Sequence, residues 1–349
     1  MSQHESRPLV SVVVPVHDRF RLAERSVLSV WSQTYRPIEL IVVDDASERP
    51  FILPPQVFDL DIRLMRLDTN EGPGAAREAG RRQAKGEFIA YLDSDDFWGP
   101  KHVASLVAAL SAAPKAGMAY SAALEMRHGE PSRLRAGSDA AHDGILPTVL
   151  WRRPWHTSAC MWRRDLADAV GGWMPIWAYE DHEYDCRAGC LGAKLTHVAE
   201  PTCFIQTDAP GRLTTGLAER GRVRSYGLAN LSMAEHIRGT DWHRDPRIRD
   251  RMRRLLLSVA ARSSEQRLEG IPARAVLELW RWPKLSASLA VASGVGLPLA
   301  LMSAGRTSAR IFRWARRRSV DDQGGFETEP SEEERHAARA KLSAEPKSG

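Results

Sequence analysis

The chain has 349 residues, 43% of them hydrophobic and 27% charged, with a formal net charge of +5. That balance is globular, and the length allows one large domain or two smaller ones whose core needs no disulfide staples. The four cysteines, Cys160, Cys186, Cys190 and Cys203, lack the spacing of a paired zinc knuckle and read as buried or partly buried thiols of a reducing compartment. The basic excess is uneven, with arginine dense after position 210, and no nucleic-acid motif accompanies it, so no nucleic-acid partner is expected. Residues Met1 to Pro8 are polar, and the expectation is a chain without a signal peptide that stays in the cytoplasm.

Taken in order, Val10 to Val16 is a β-branched run suited to a central parallel strand, with His17-Asp18-Arg19 as the loop after it. Leu22, Val27, Leu28 and Trp31 recur at helical spacing until Tyr35-Arg36-Pro37. Ile38 to Val43 is a second strand ending in Asp44-Asp45, and Ile62 to Leu67 a weaker third. The Gly/Pro loop at 70–77 opens a helix that runs to about Lys85, where Gly86 caps it. A fourth strand at 87–92 then runs straight into Asp93, Asp95 and Asp96.

Three carboxylates at the end of an apolar strand cannot follow it into the core unpaired. They belong at the sheet edge, where ligand sites of open α/β sheets lie. Asp93 and Asp95, two apart on an extended chain, can face the same way and offer hard oxygens to Mg²⁺ or Mn²⁺. On this stretch alone an ordinary acidic turn explains the same residues.

Beyond it, Pro100 to Leu110 reads as a helix, Ala116 to Ser121 as a short strand, and 122–150 as an irregular connection. His156 to Trp162 reads as a strand and Arg163 to Val170 as a short helix stopped by Gly171-Gly172. A helix opens around Tyr179-Glu180-Asp181 and extends to about Cys190; acids in a first turn also suit the helix dipole. Lys194 to Ala199 and Thr202 to Gln206 are two late strands, followed by a loop with Gly211-Arg212. After about 216 helical, arginine-rich patterns dominate. The uncharged run 285–305 fits a buried or membrane-resting helix better than a spanning one, and 306–318 resembles an interfacial helix for an anionic membrane or a solvated basic helix. The tail 321–349 reads as disordered.

Five motifs occur in register with these elements: Val-Val-Pro-Val-His-Asp at 13–18, Val-Asp-Asp-Ala-Ser at 43–47, Asn-Glu-Gly-Pro-Gly-Ala-Ala-Arg at 70–77, Leu-Asp-Ser-Asp-Asp at 92–96 and Glu-Asp at 180–181. Together they resemble the family 2 inverting glycosyltransferases of the GT-A fold, over roughly residues 9 to 215. The resemblance implies an α/β, Rossmann-like, mostly parallel sheet flanked by helices in a domain over 1–215. Its donor half lies at about 9–121 and its acceptor half at about 122–215, with a helical extension over 216–320. It also implies a nucleotide-diphospho-sugar donor, a UDP- or dTDP-sugar, with a glycan or lipid-linked acceptor in cell-surface polysaccharide synthesis expected; the lipid link and a peripheral membrane contact through 285–318 are expected from the basic, mildly apolar C-terminal third.

Carried over residue by residue, Asp45 accepts from the base, while Pro15 and His17 lie beside it, His17 standing where the family often stacks an aromatic ring. Arg77 sits near the phosphates. Asp95 is the direct metal ligand, with Asp93 on ribose or metal. Asp181 is the general base, and Arg212 closes over the pyrophosphate. Glu180 is the nearest competitor for the base. Trp173, Trp177 and Tyr179 are either an acceptor wall or ordinary core. His17-Asp18 replaces the usual Tyr-Asn pair and Ala46 a common Gly, which blurs the preferred base. Two other readings stay open: a nucleotidyltransferase, though its basic Gly-rich loop is missing, and a non-catalytic nucleotide-sugar-binding module.

Overall fold

A computed structural model describes residues 7–209 and 217–282; Arg212, the segment 285–318 and the tail 321–349 lie outside the described residues. Strands and helices alternate through the first half: β1 (Val10–Val16), α1 (Phe20–Trp31), β2 (Ile38–Asp44), β3 (Asp61–Arg66), α2 (Pro73–Gln83) and β4 (Phe88–Tyr91). Every residue of β1, β2 and β4 is buried, because helices cover both faces of the sheet. The period of two then splits the apolar residues between two cores. Val10, Val12 and Val14 pack with Ala23, Val27 and Val30 of α1, whereas Val13, Ile41 and Ile89 face α2 on the other side.

Next come β5 (Phe97–Trp98), α3 (His102–Ala112), β6 (Ala116–Arg127), β7 (Glu130–Leu134), β8 (Cys160–Arg163), α4 (Arg164–Val170), α5 (Glu180–Cys190) and β9 (Lys194–Gln206). The sheet order is β3-β2-β1-β4-β8-β6-β9-β5, with β7 paired to β6. β3, β2, β1 and β4 are mutually parallel, and β8 runs antiparallel between β4 and β6. This is the mostly parallel α/β sheet expected. The register pairs Val16 with Asp44 and Val13 with Tyr91, so the loops after β1, β2 and β4 open on one rim.

Three expectations need correction. The connection at 122–150 is not irregular throughout: β6 continues to Arg127 and turns back into β7. His128 and Gly129 both have positive φ, 52° and 84°, as a two-residue hairpin requires. All of β7 is exposed, so it carries no apolar alternation to read. The two late strands are one, β9, in which the break at Glu200-Pro201 is absorbed as register shifts against Ser121–Ala123 of β6. The stretch 156–162 is a strand only from Cys160; Thr157–Ala159 is a 3-10 turn.

Three helices close the described chain: α6 (Glu219–Arg238), α7 (Pro246–Glu265) and α8 (Ile271–Trp280). Their apolar faces, including Leu231, Met252, Leu256 and Leu279, join the core that holds Val13 and Tyr184. Polar ties reinforce the seam: Ser232 Oγ donates to Glu183 of α5 at 2.7 Å, and Arg251 Nε to the Leu150 carbonyl at 2.6 Å. No helix among the described residues is long and apolar enough to cross a membrane. The four cysteines are free, three of them buried.

Candidate active site

At the common rim lies a cavity of about 260 Å³. Pro15, His17, Asp45, Arg77, Asp93, Asp95, Trp177, Glu180 and Asp181 all line it, although they lie up to 166 positions apart in the chain (181 − 15). Of the residues singled out in the sequence, Arg212 alone falls outside the described residues.

One end of the cavity is built on backbone donors. Asp45 accepts from the Glu71 and Gly72 N–H groups at 2.9 and 2.8 Å, just ahead of α2. Burial raises its carboxyl above the ordinary value despite those bonds. Gly72 has φ 90°, and a side chain there would press on the Trp177 ring, 3.3 Å from an ideal Cβ, so glycine serves both the turn and the contact. His17 sits beside Asp45. Its Nδ1 lies 2.8 Å from the Asp45 carbonyl and its Nε2 2.8 Å from Asn70 Nδ2. Together these bonds fix Nδ1 as donor and Nε2 as acceptor and hold the ring in the cleft. Asp44 faces away from the cavity and ties down the next loop through the Ser47 and Phe51 N–H groups. Asp18, Arg19 and Ala46 all have φ near 50°, a cluster of left-handed backbone at the mouth of the site.

The acids after β4 divide their work. Asp93 Oδ1 accepts from Arg77 at 2.6 Å, and Asp95 Oδ2 from Arg19 at 3.0 Å. Asp96 is buried, accepting from Ser158 Oγ at 2.6 Å and the Gln206 N–H at 3.1 Å. Burial, with Asp95 and Asp93 adding, raises Asp96 well above the ordinary carboxylate value, while for Asp93 the pull of Arg77 and His156 outweighs burial and lowers it. Asp93, Asp96 and His156 bring ligand atoms within 4.8 Å of one another. The structure therefore groups Asp93 with Asp96 and His156, where the sequence paired it with Asp95. The donor set fits a divalent cation: two carboxylate oxygens and an imidazole that burial holds neutral, its pKa pushed down to about 3. Two carboxylates with one nitrogen suit Mn²⁺ better than the harder Mg²⁺.

Arg77 does not reach into the cavity as a free arm. It is buried between Asp93 and Glu180, 2.7 Å from the Glu180 carboxylate, with its guanidinium 4.9 Å from the Trp173 ring centre. Burial alone would lower its pKa, but Asp93 and then Glu180 raise it, so it stays charged. Trp173 in turn stacks on Tyr184 at 4.1 Å and is core, whereas Trp177 and Tyr179 line the cavity.

Glu180 and Asp181 are neighbours with different fates. The Glu180 side chain is 8% exposed and spent on Arg77. Asp181 is 26% exposed, with Oδ2 3.2 Å from Arg153 and Oδ1 accepting the His182 N–H at 2.8 Å. Burial would raise it, but Arg153 and His182 hold it well below the ordinary value. Sequence reading missed Arg19, Asp96, His156 and Arg153 as parts of this site. Asp96 stood inside a quoted motif and Arg19 directly after one; His156 stood at the start of a stretch read as a strand, and Arg153 lay in a stretch without readable periodicity.

Residues 11–171 match the model of glycosyl transferase family 2. This segment belongs to that family. The chain is 39% identical over 93 residues to an uncharacterized glycosyltransferase of Haemophilus influenzae, covering 26% of this chain and 37% of that protein. It is 36% identical over 107 residues to the succinoglycan biosynthesis protein ExoO of Rhizobium meliloti, covering 30% of this chain and 31% of that one. The chain thus spans about a third of the length of these relatives. Among solved structures, S. aureus TarS in complex with UDP-GlcNAc matches with a TM-score of 0.54 at 15% identity, over 90% of this chain and 92% of that one. The mannosyltransferase PcManGT of Pyrobaculum calidifontis, in complex with GDP-Man and Mn²⁺, matches with a TM-score of 0.52 at 19% identity, over 91% and 89%. These likenesses show a shared GT-A fold that includes the helical C-terminal part.

Proposed function

We propose that the protein is a metal-dependent inverting glycosyltransferase. In this reading it moves a sugar from a nucleotide-diphospho-sugar, a UDP-sugar, to a hydroxyl of a glycan or lipid-linked acceptor in cell-surface polysaccharide synthesis. The observation that carries it is the one cavity that joins a carboxylate edge left open, Asp181, to a divalent-cation donor set and a backbone-held Asp45. The name of ExoO supports the pathway class, and the UDP-GlcNAc and Mn²⁺ complexes of the structural neighbours support donor and metal.

Asp45 and His17 bind the base, Asp45 through lone pairs not used by Glu71 and Gly72. Asp93, Asp96 and His156 would hold the cation, whose charge offsets the negative charge gathering on the departing diphosphate. Arg19, on Asp95, places a second positive charge at the same end. Asp181 takes the acceptor hydroxyl's proton as the bond to the anomeric carbon forms. Glu180 cannot compete for that role while Arg77 occupies it. A single base acting opposite the leaving group gives one displacement and inversion. Trp177 and Tyr179 offer ring faces to an acceptor sugar. Membrane attachment through 285–318 belongs to the same reading, and a chain truncated at 284 that floats with anionic vesicles as well as the full chain would remove it.

The test is release of UDP from a panel of UDP-sugars with Mn²⁺, with and without EDTA, for wild type and Asp181→Asn. Metal-dependent release from one sugar, lost in the variant, is the expected result. No release from any donor, together with no binding of UDP–Mn²⁺, overturns the donor assignment.

A further inference from the structure

Asp181 and Asp185 lie one turn apart on α5, on the same face, where like charges repel. One buried guanidinium separates them. Arg153, whose side chain is 3% exposed, sets its NH1 3.2 Å from Asp181 Oδ2 and its Nε 2.5 Å from Asp185 Oδ2. Asp185 is 1% exposed, and the same oxygen also accepts from Trp155 Nε1 at 2.6 Å. Arg153 NH1 reaches the Trp155 carbonyl at 3.3 Å as well. Trp155 is fully buried, its ring 5.4 Å from Tyr120 of β6. The guanidinium is therefore fixed from behind by a carboxylate that meets no solvent, and only its forward edge faces a carboxylate that does. On its other oxygen Asp181 is held by His182. The carboxylate has little rotational freedom left, and its orientation is set by a residue 28 positions upstream (181 − 153) that does not line the cavity.

We infer that Arg153 is a positioning residue for the proposed base, with Asp185 and Trp155 as the frame that fixes its guanidinium. The inference rests on the reading of Asp181 as the base. A general structural role for Arg153 predicts equal damage to folding, donor binding and rate. A positioning role predicts damage to rate alone, acting through Asp181. A guanidinium that spans two carboxylates is not replaced by an ammonium at full value, because the planar fork fixes two directions at once.

The experiment is a double-mutant cycle on the full chain, using the UDP-sugar that wild type cleaves with Mn²⁺. Arg153→Gln, Arg153→Lys, Asp181→Asn and the double variant Arg153→Gln/Asp181→Asn are compared for kcat, donor KM, UDP affinity and thermal midpoint. The expected result is a fall in kcat of about 100-fold for Arg153→Gln, within the range of general-base effects, with donor KM and UDP affinity within about twofold. Arg153→Lys recovers part of that loss, and in the Asp181→Asn background Arg153→Gln costs less than about twofold more. The inference is overturned by an Arg153→Gln variant within about threefold of wild type, by additive losses in the double variant, or by loss of UDP affinity in step with kcat. An active Asp181→Asn enzyme is a different failure: it removes the base assignment itself, and the positioning role with it. An inactive Asp181→Asn beside a fully active Arg153→Gln removes only the positioning role.

Discussion

The two ends of the cavity hold their carboxylates by different means. At the proposed nucleotide end, Asp45 accepts from backbone N–H groups of a loop close by in space, at Glu71 and Gly72. At the opposite end, Glu180 and Asp181 are held by arginine side chains, Arg77 and Arg153, the first 103 positions away. A backbone donor brings a dipole and a fixed direction but no formal charge. It leaves Asp45 above its ordinary pKa, whereas Arg153 with His182 holds Asp181 well below. The first arrangement shapes a recognition surface. The second trades basicity for a carboxylate that is held ionised and oriented, as the proposed role of Asp181 as base requires.

Asp181→Asn tests the separation of the two ends most severely. It should cost about 10²- to 10⁴-fold in kcat while UDP affinity stays near wild type, since the nucleotide end does not depend on α5. Parallel loss of UDP binding, seen by calorimetry, would mean the two ends are not separable. Next in size is Arg77→Met. It leaves Glu180 buried without its cation and Asp93 without its partner, so about 3–5 kcal/mol of unfolding free energy should be lost in the ligand-free protein. An unchanged denaturation midpoint without ligand would make Arg77 a donor-phosphate ligand after all. Gly74→Ala tests the joint between the halves. An added Cβ would lie 2.2 Å from the Met174 carbonyl oxygen, a backbone atom that cannot swing aside. The expected cost is about 1–3 kcal/mol, with donor KM rising as α2 moves off the 173–178 loop.

How much was readable follows the same division. Strand ends run directly into their functional loops, so motifs at 13–18, 43–47, 70–77 and 92–96 marked the nucleotide end, and the sheet register then brought them together. Alternation along an extended chain puts Asp93 and Asp95 on one side, and the resemblance makes Asp95 the direct metal ligand. The chain has already turned at Asp93, whose carbonyl accepts the Asp96 N–H at 3.0 Å, and so the third acid faces the first. Arg153 and His156 were not legible at all. Arg153 sits in a segment without periodicity and His156 in a stretch whose apolar pattern marks a strand, and what defines both is contact with Asp181, Asp185 and Asp96, which no local pattern encodes. The hairpin of β6 and β7 was missed for the related reason that an exposed edge strand shows no apolar alternation.

The smallest effect separates fold from chemistry at the nucleotide end itself. Asp44 and Asp45 are adjacent, yet only Asp45 lines the cavity. Asp44 is 2% exposed and 2.8 Å from Arg66. Burial raises its pKa, but Ser47, the Phe51 N–H and Arg66 more than offset that, and the folded value falls below the ordinary 3.8. A depressed carboxyl contributes stability that is complete above its unfolded pKa and is lost as pH falls through the folded one. Asp44→Asn keeps the shape and one acceptor but not the charge. It should therefore cost about 1 kcal/mol at neutral pH, and that difference should shrink as pH falls through the folded pKa, which lies below 3.8, because wild type then also loses its charge there. Urea unfolding at neutral pH and in acid measures it directly. Donor KM and kcat should not move, because the charge removed points into the loop at 47–51 and not into the cleft. A change in donor KM would show that this loop shapes the base pocket, and that the boundary between scaffold and site runs between Asp44 and its own partners instead of between Asp44 and Asp45.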